Sequence, residues 1–356
     1  MNQTLIRFAI PLAFMLSGCA PREVPAEIRI ANALPAVNVT AAGETEPVGT
    51  AAADAADDPA IWRNAANPAA SLIVGTDKKA GLHVYTLDGQ SRHFAAAGLV
   101  NNVDLIDTGG GIIVIASDRN DPKASQLALF RLDPAAMTLA PLGKVSSGPG
   151  EAYGICIDAG ASSADRLTVF AAIKDGSVRQ IVLTLSGGAP AATIVRTMKL
   201  NTQIEGCVVD PASRSLFVGE EDVGIWRFSA DAGAPVTGTL VAAADSKQIV
   251  ADVEGLALVQ SGGRSLLVAS SQGDNAYAVF GVPADPAAPL PLLGRFRIAA
   301  GKFGATSETD GIELKLGNYG PDYPEGLLVA QDGQNAPAAQ NFKLVGWREI
   351  RMALGL

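Results

Sequence analysis

Two adjacent carboxylates, Asp57 and Asp58, are followed along the chain by Asp77, Lys78 and Lys79. Between them lie two short apolar runs, Ala60–Trp62 and Ser71–Gly75, and Leu82–Leu87 returns as a third. Read as antiparallel strands, these runs bring the start of the first beside the end of the second. Two acids and two ammonium groups then share one rim, with oxygen ligands for a cation next to donors for an anion. Taken alone, the stretch reads more simply as a solvated turn of mixed charge. Its recurrence argues otherwise.

Glu205-Gly206-Cys207-Val208-Val209, a turn, Arg214–Glu221 and Ile225–Phe228 make one unit. Glu254–Leu258, Arg264–Ala269 and Ala276–Phe280 repeat it, and Asp310–Leu314, Gly326–Ala330 and Phe342–Val345 repeat it again. Weaker copies begin at Asn102 and Tyr153. Unit starts at Asp58, Asp104, Gly154, Glu205, Glu254 and Asp310 are 46 to 56 residues apart. Six units of antiparallel strands at that period describe an all-β protein, a single six-bladed β-propeller. A pair of β-sandwiches gives no reason for the same polar cluster in every unit. The last unit has room for three strands, so Ala36–Ala41 is expected to supply its outer strand and close the ring, removing an exposed edge. Met352–Leu356 reads as a short terminal turn.

In every unit the polar residues sit before the first strand and after the second, so all six clusters converge on one face. That face collects Asp57, Asp58, Asn102, Asp104, Glu205, Glu220, Glu221, Asp252, Glu254, Gln272, Asp310 and Asp332. So many carboxylates in one mouth repel each other or stay protonated unless cations lie between them. An all-oxygen donor set without His or Cys selects hard ions, and the irregular spacing suits several Ca²⁺ better than octahedral Mg²⁺. Lys78, Lys79, Arg119 and Lys174 end second strands in three successive units, with Tyr153 close by. Their side chains suit the oxygens of a phosphate group. The plainer reading has the acids capping turns and the lysines solvated.

The formal charge is −9, and it becomes −10 without residues 1–18, which carry Arg7 and no acid. Such a balance excludes a nucleic-acid partner, which needs a basic face. Arg7, the apolar run Phe8–Leu16 and Leu16-Ser17-Gly18-Cys19 read as a signal peptide over 1–18, too short an apolar run to span a bilayer. Its end resembles a bacterial lipobox, which implies lipid attachment at Cys19, a tether over 19–33 and the propeller over 34–356. With Ala20 after the cysteine, the expected location is the outer membrane, reached through the lipid alone; a secreted protein is the alternative. A monomer is expected. Cys156 and Cys207 lie in apolar strand-like runs and read as small core residues rather than metal ligands.

At this point a resemblance can be stated. The segments Asp57-Asp58-Pro59-Ala60-Ile61-Trp62, Thr76-Asp77-Lys78-Lys79, Asn101-Asn102-Val103-Asp104 and Ser117-Asp118-Arg119 occur in order with Tyr153-Gly154 and Ile204-Glu205-Gly206. Glu220-Glu221-Asp222, Asp252-Val253-Glu254-Gly255, Ser271-Gln272-Gly273, Thr309-Asp310-Gly311 and Asn341-Phe342-Lys343 continue the series. Together they resemble the β-propeller phytases, calcium-dependent phosphatases acting on inositol hexakisphosphate. The resemblance implies a cleavage phosphate held by Lys78, Arg119, Tyr153, Lys174 and Glu205, with Lys79 toward a neighbouring phosphate. It implies calcium ligands at Asp58, Glu205, Glu220 or Glu221, Asp252, Glu254, Gln272 and Asp310, with Asn102 and Asp104 in a further site. The implied substrate is phytate or another inositol phosphate as its calcium salt. Where the family tends to carry one more acid before Thr309-Asp310, this chain has Gly304, which implies fewer structural calcium ions. A calcium-dependent propeller lactonase needs little positive charge, so the four basic residues disfavour it. The intact acid set disfavours a purely binding propeller.

Overall fold

The computed structural model describes residues 24–51 and 54–356; the expected signal peptide and Cys19 lie outside the described residues. Among the described residues no helix is long and apolar enough to cross a membrane. Six sheets, antiparallel apart from one added strand, follow one another along the chain. Blade one runs Ala56–Trp62, Leu72–Asp77, Gly81–Thr86 and Ser91–Ala96. Blades two to four begin at Val100–Asp107, Ala152–Ile157 and Ile204–Asp210, and blades five and six at Val253–Ser261 and Ile312–Leu316. The first strands of successive blades touch in a closed circuit, and blade six returns to blade one. The protein is a six-bladed β-propeller.

Both faces of each blade are buried, so its strands read as unbroken apolar runs rather than as alternating ones. In Ile112–Asp118, Ile112, Val114 and Ala116 enter the seam between blades one and two. Ile113 and Ile115 enter the seam between blades two and three. One strand thus feeds two cores, and six apolar clusters result, one at each seam. Each fully buried Val, Ile or Leu contributes about 1.5–3 kcal/mol.

One irregularity repeats. In five blades two residues of the first strand face a single residue of the second. The pairs are Asp57–Asp58 opposite Thr76, Asn101–Asn102 opposite Ser117, and Tyr153–Gly154 opposite Ala172. Glu205–Gly206 opposite Gly219 and Glu254–Gly255 opposite Ser270 complete the set. Asp310–Gly311 precedes the first strand of blade six in the same place. Adjacent bulges meet closely: a Cβ on Gly206 would lie 2.1 Å from the Glu254 carbonyl oxygen, and one on Gly311 2.5 Å from the Asp58 Cα. Only glycine fits there.

Ring closure differs from expectation. Val37–Thr40, within the Ala36–Ala41 segment, adds in parallel to Leu292–Ala299 and makes a fifth strand on blade five. The outer strand of blade six is Gly43–Glu44, antiparallel to Asn341–Gly346. The reason is packing and charge. Val39 and Ala41 fill the seam between blades five and six, and Glu44 reaches the fully buried Lys343 Nζ at 2.6 Å. The chain end is not a turn either. Trp347–Leu354 forms a helix, here α2, that buries Trp347 and Ile350 in the same seam and ends on Gly355 in the left-handed conformation. Within the stretch read as a tether, Ala26–Asn32 forms α1, and Arg29 Nε donates to the Gly273 carbonyl at 2.5 Å.

The cysteines are buried, as expected, but they are paired. Cys156 and Cys207 form a disulfide between the first strands of blades three and four. Sequence spacing hid this because the two residues are 51 apart and meet only when those strands become neighbours around the ring.

Candidate active site

The acids do not precede the first strands; most lie within them, at the bulges. A bulge turns the first member of each pair out of the sheet's alternation and toward the axis. Asp57, Asn101, Tyr153, Glu205 and Glu254 are those members, and Asp310 is their equivalent in blade six.

Lys78 stands at one side of the mouth. Its Nζ is 2.8 Å from Asp57 Oδ1 and 3.1 Å from Asp310 Oδ2, and it also contacts Asp54 Oδ1. Burial works against the ammonium, but the Asp57 and Asp310 carboxylates outweigh it and raise its pKa. Lys78 stays charged. Lys79, half exposed, reaches Asp54 Oδ2 at 3.2 Å. Gln272 Nε2 donates to Asp310 Oδ1 at 2.7 Å. Burial pushes Asp310 up to about 7, against the pull of Lys78.

Across the mouth, Glu205, Glu221 and Glu254 each present an oxygen within 4.8 Å of the others, and all three are buried. Burial raises Glu205 and Glu254 well above the carboxylate range, with their acidic neighbours adding to the effect. Glu221 is pushed up to about 7, again by burial first; Asp252 adds to it. Asn101 Nδ2 donates to Glu205 Oε1 at 2.9 Å and to Asn102 Oδ1 at 2.9 Å. Asp57 Oδ2, Asn101 Oδ1 and Glu254 Oε2 are buried oxygens with no hydrogen-bond partner. Unpartnered buried oxygens among crowded carboxylates fit a hard cation, and this acidic cluster could hold a metal ion.

The third sector is cationic and aromatic. Lys174 Nζ lies 4.9 Å and Arg119 Cζ 5.9 Å from the centre of the Tyr153 ring. Arg119 Nη1 is 3.7 Å from Glu151 Oε1. Burial, then Glu205 and Glu254, raises the Tyr153 phenol, so it remains a hydrogen-bond donor at neutral pH. The lysines reach the acids electrostatically: Lys78 draws Glu205 down and Lys174 draws Glu221 down.

Not every predicted residue joins this group. Glu220 is turned away: it accepts from Asn201 N at 2.9 Å, Thr202 N at 2.7 Å and Trp226 Nε1 at 2.8 Å. That carboxylate caps a turn, and of the pair Glu220 and Glu221 only the second faces the centre. Asp77 also caps, accepting from Thr50 N and Lys79 N. Asp332 sits beside Lys343, 3.1 Å away. Asp58 Oδ2 accepts from Val103 N at 3.0 Å, and Asp104 Oδ2 accepts from Ile157 N at 2.8 Å. Both line the central channel below the mouth, a cavity of about 320 Å³ that they share with Asn102, Glu313, Lys315 and the disulfide. Asp252 and Gln272 line a second cavity with Asp54 and Asp310.

Sequence reasoning passed over Asp54, Asn101 and Gln203. Asn101 was findable, because it occupies the bulge position of Asp57, Glu205 and Glu254. Asp54 and Gln203 lie in connections outside the repeat, and no periodic signal marks them.

The family model Phytase matches residues 9–356. The 3-phytase of Bacillus subtilis (strain 168) is 37% identical over 336 residues, covering 89% of this chain and 85% of its own length. Among solved structures, the major Malassezia sympodialis allergen Mala s 1 is 13% identical with a TM-score of 0.46, covering 77% of this chain and 88% of its own; that likeness carries no argument. A family match over the whole ring, joined to a relative at more than a third identity, makes this chain a member of the phytase family.

Proposed function

We propose that this chain is a calcium-dependent 3-phytase, removing phosphate from myo-inositol hexakisphosphate by attack of water. The observation that carries the reading is the juxtaposition of Glu205, Glu221 and Glu254, within 4.8 Å of one another, with Lys78, Arg119, Lys174 and Tyr153. One half of that arrangement suits hard cations and the other suits phosphate oxygens. Asp57, Glu205, Glu221, Asp252, Glu254, Gln272 and Asp310 would hold calcium at the mouth. Asp58, Asn102 and Asp104 would hold it from the channel. Bound calcium supplies neutralisation of substrate charge and acidification of water.

The chain's own residues do the rest. Lys78, Arg119 and Lys174 stabilise charge on the equatorial oxygens of the reacting phosphate, and the protonated Tyr153 donates to one of them. Glu205, held by the Asn101 amide, orients the attacking water. Asp54 already grips Lys78 and Lys79, and an incoming phosphate takes its place on Lys78 while Lys79 turns to the next phosphate on the ring. No covalent intermediate is needed.

The test is phosphate release from calcium phytate at neutral pH with millimolar calcium, with and without EDTA. Release that EDTA abolishes supports the reading, and no release with calcium present removes it. We also propose that Cys19 carries lipid and holds the protein at the outer membrane, supported by Leu16-Ser17-Gly18-Cys19 and the following Ala20. In fractionated cells Cys19→Ser then moves the protein from the membrane to the soluble fraction; unchanged partitioning rejects the anchor.

A further inference from the structure

Gln203 precedes the first strand of blade four and belongs to no repeated motif. Its Nε2 nevertheless makes two contacts with residues from different blades. It donates to Glu221 Oε1 at 2.7 Å and to the Tyr153 hydroxyl at 3.3 Å. The Gln203 carbonyl also accepts from Glu221 N at 3.1 Å. One residue therefore holds Glu221 by its backbone and by its carboxylate while touching the phenol of the neighbouring blade.

The chemistry of each contact is specific. A phenol has one proton and two lone pairs. When an amide N–H occupies a lone pair, the phenol's own proton points elsewhere. Arg119 and Lys174 lie over the Tyr153 ring and restrain its plane, but they leave the torsion of the hydroxyl undecided. Gln203 decides it. The shorter bond to the carboxylate is charge-assisted and fixes the rotamer of Glu221, which presents its oxygen beside Glu205 and Glu254. A neutral amide does this without adding charge. A carboxylate at this position would repel Glu221, and an ammonium would compete with a cation.

We propose that Gln203 is a positioning residue of the rim: its one amide nitrogen aims the Tyr153 hydroxyl at the substrate phosphate and presets Glu221 for the cation. The first arm rests on the phytase reading; the second rests on the acidic cluster alone.

The test uses the full mature chain with Gln203→Met, which keeps length and loses the N–H. Calcium alone is titrated by calorimetry, and turnover of calcium phytate is measured at saturating calcium in the wild-type and Tyr153→Phe backgrounds. The calcium midpoint is expected to rise about tenfold or more, and kcat at saturating calcium to fall about 10–100-fold with KM little changed. In the Tyr153→Phe background the further loss of kcat is expected to stay below about threefold, because the two residues act as one unit. The calcium-loaded melting temperature is expected to stay within about 3 °C, as for loss of a single half-exposed contact. An unchanged calcium midpoint overturns the Glu221 arm, and a fully multiplicative loss with Tyr153→Phe overturns the Tyr153 arm. A wild-type protein inactive on phytate defeats the functional reading and the Tyr153 arm with it, and the calcium midpoint then decides whether Gln203 presets Glu221.

Discussion

Lys78 shows how strongly one residue's environment can be constrained. Its ammonium is buried and held by Asp54, Asp57 and Asp310, so removing it leaves two buried carboxylates facing each other. Calcium offsets that charge, which separates the chemical role of Lys78 from its structural one. Lys78→Met is expected to lower kcat/KM on calcium phytate about 10²–10³-fold, the usual cost of losing a donor to developing charge. Its calcium-loaded melting temperature should change by only a few degrees; an equal loss of thermal stability would mark the lysine as structural. The carboxylates give a second prediction. Glu221 and Asp310 rise to about 7 in the folded chain from ordinary values of 4.5 and 3.8. Between those values the folded state binds more protons than the unfolded one, so stability falls as pH rises through that window. Calcium-free protein should therefore melt at a lower temperature at pH 8 than at pH 5.5. Calcium should remove the difference, because ligation favours the ionised form. Melting curves in EDTA across that range check this, and a calcium-free protein that gains stability toward pH 8 contradicts it.

At the scale of the element, the repeated bulge is the device that makes the site. Regular alternation in a first strand would send neighbouring residues to opposite seams. The extra residue interrupts it once, at the same height in five blades, and aims one polar side chain inward each time. The closing element is held by charge. Lys343 Nζ lies 2.6 Å from Glu44 and 3.1 Å from Asp332, and its side chain is fully buried. It joins the short outer strand Gly43–Glu44 to the rest of blade six. Lys343→Met leaves Asp332 buried and uncompensated and is expected to cost about 3–5 kcal/mol. Urea denaturation reads this directly, and a loss below about 1 kcal/mol would make closure independent of the pair. Gly304 faces the same ammonium, with Lys343 Nζ 3.9 Å from the Cβ position the glycine lacks.

Across the whole molecule, the disulfide is a covalent tie between blades. Cys156 and Cys207 lie three and two residues beyond Tyr153 and Glu205, and they link the strands that hold those side chains. Closing a segment of 51 residues stabilises by about 4 kcal/mol in the chain-entropy account. Replacing both cysteines with serine is expected to lower the melting temperature by about 6 °C. The same drop should appear in the unmodified protein after full reduction. Equal melting of oxidised and reduced protein would deny the bridge a stabilising role.

How much of this was legible in the sequence follows from the reach of each interaction. The six units, their strand order and the convergence of acids and lysines on one rim are consequences of spacing and alternation, both local to the chain. The recurrence of Asp or Glu beside Gly in three of the six units, at Glu205-Gly206, Glu254-Gly255 and Asp310-Gly311, was visible without any structure. What the sequence could not decide is what depends on a neighbour across a seam. Glu220 and Glu221 are adjacent and chemically alike, and only the turn at Asn201 and Thr202, which the Glu220 carboxylate caps, tells which one faces the centre. Asp58 and Asp104 drop into the channel because Val103 and Ile157 N–H groups of the next blades hold them there. Cys156 meets Cys207, and Gln203 meets Tyr153, only once blades three and four have packed together. Local patterning determined the propeller and its polar rim. The contacts between blades, formed by residues far apart in the chain, decided which of those side chains act together.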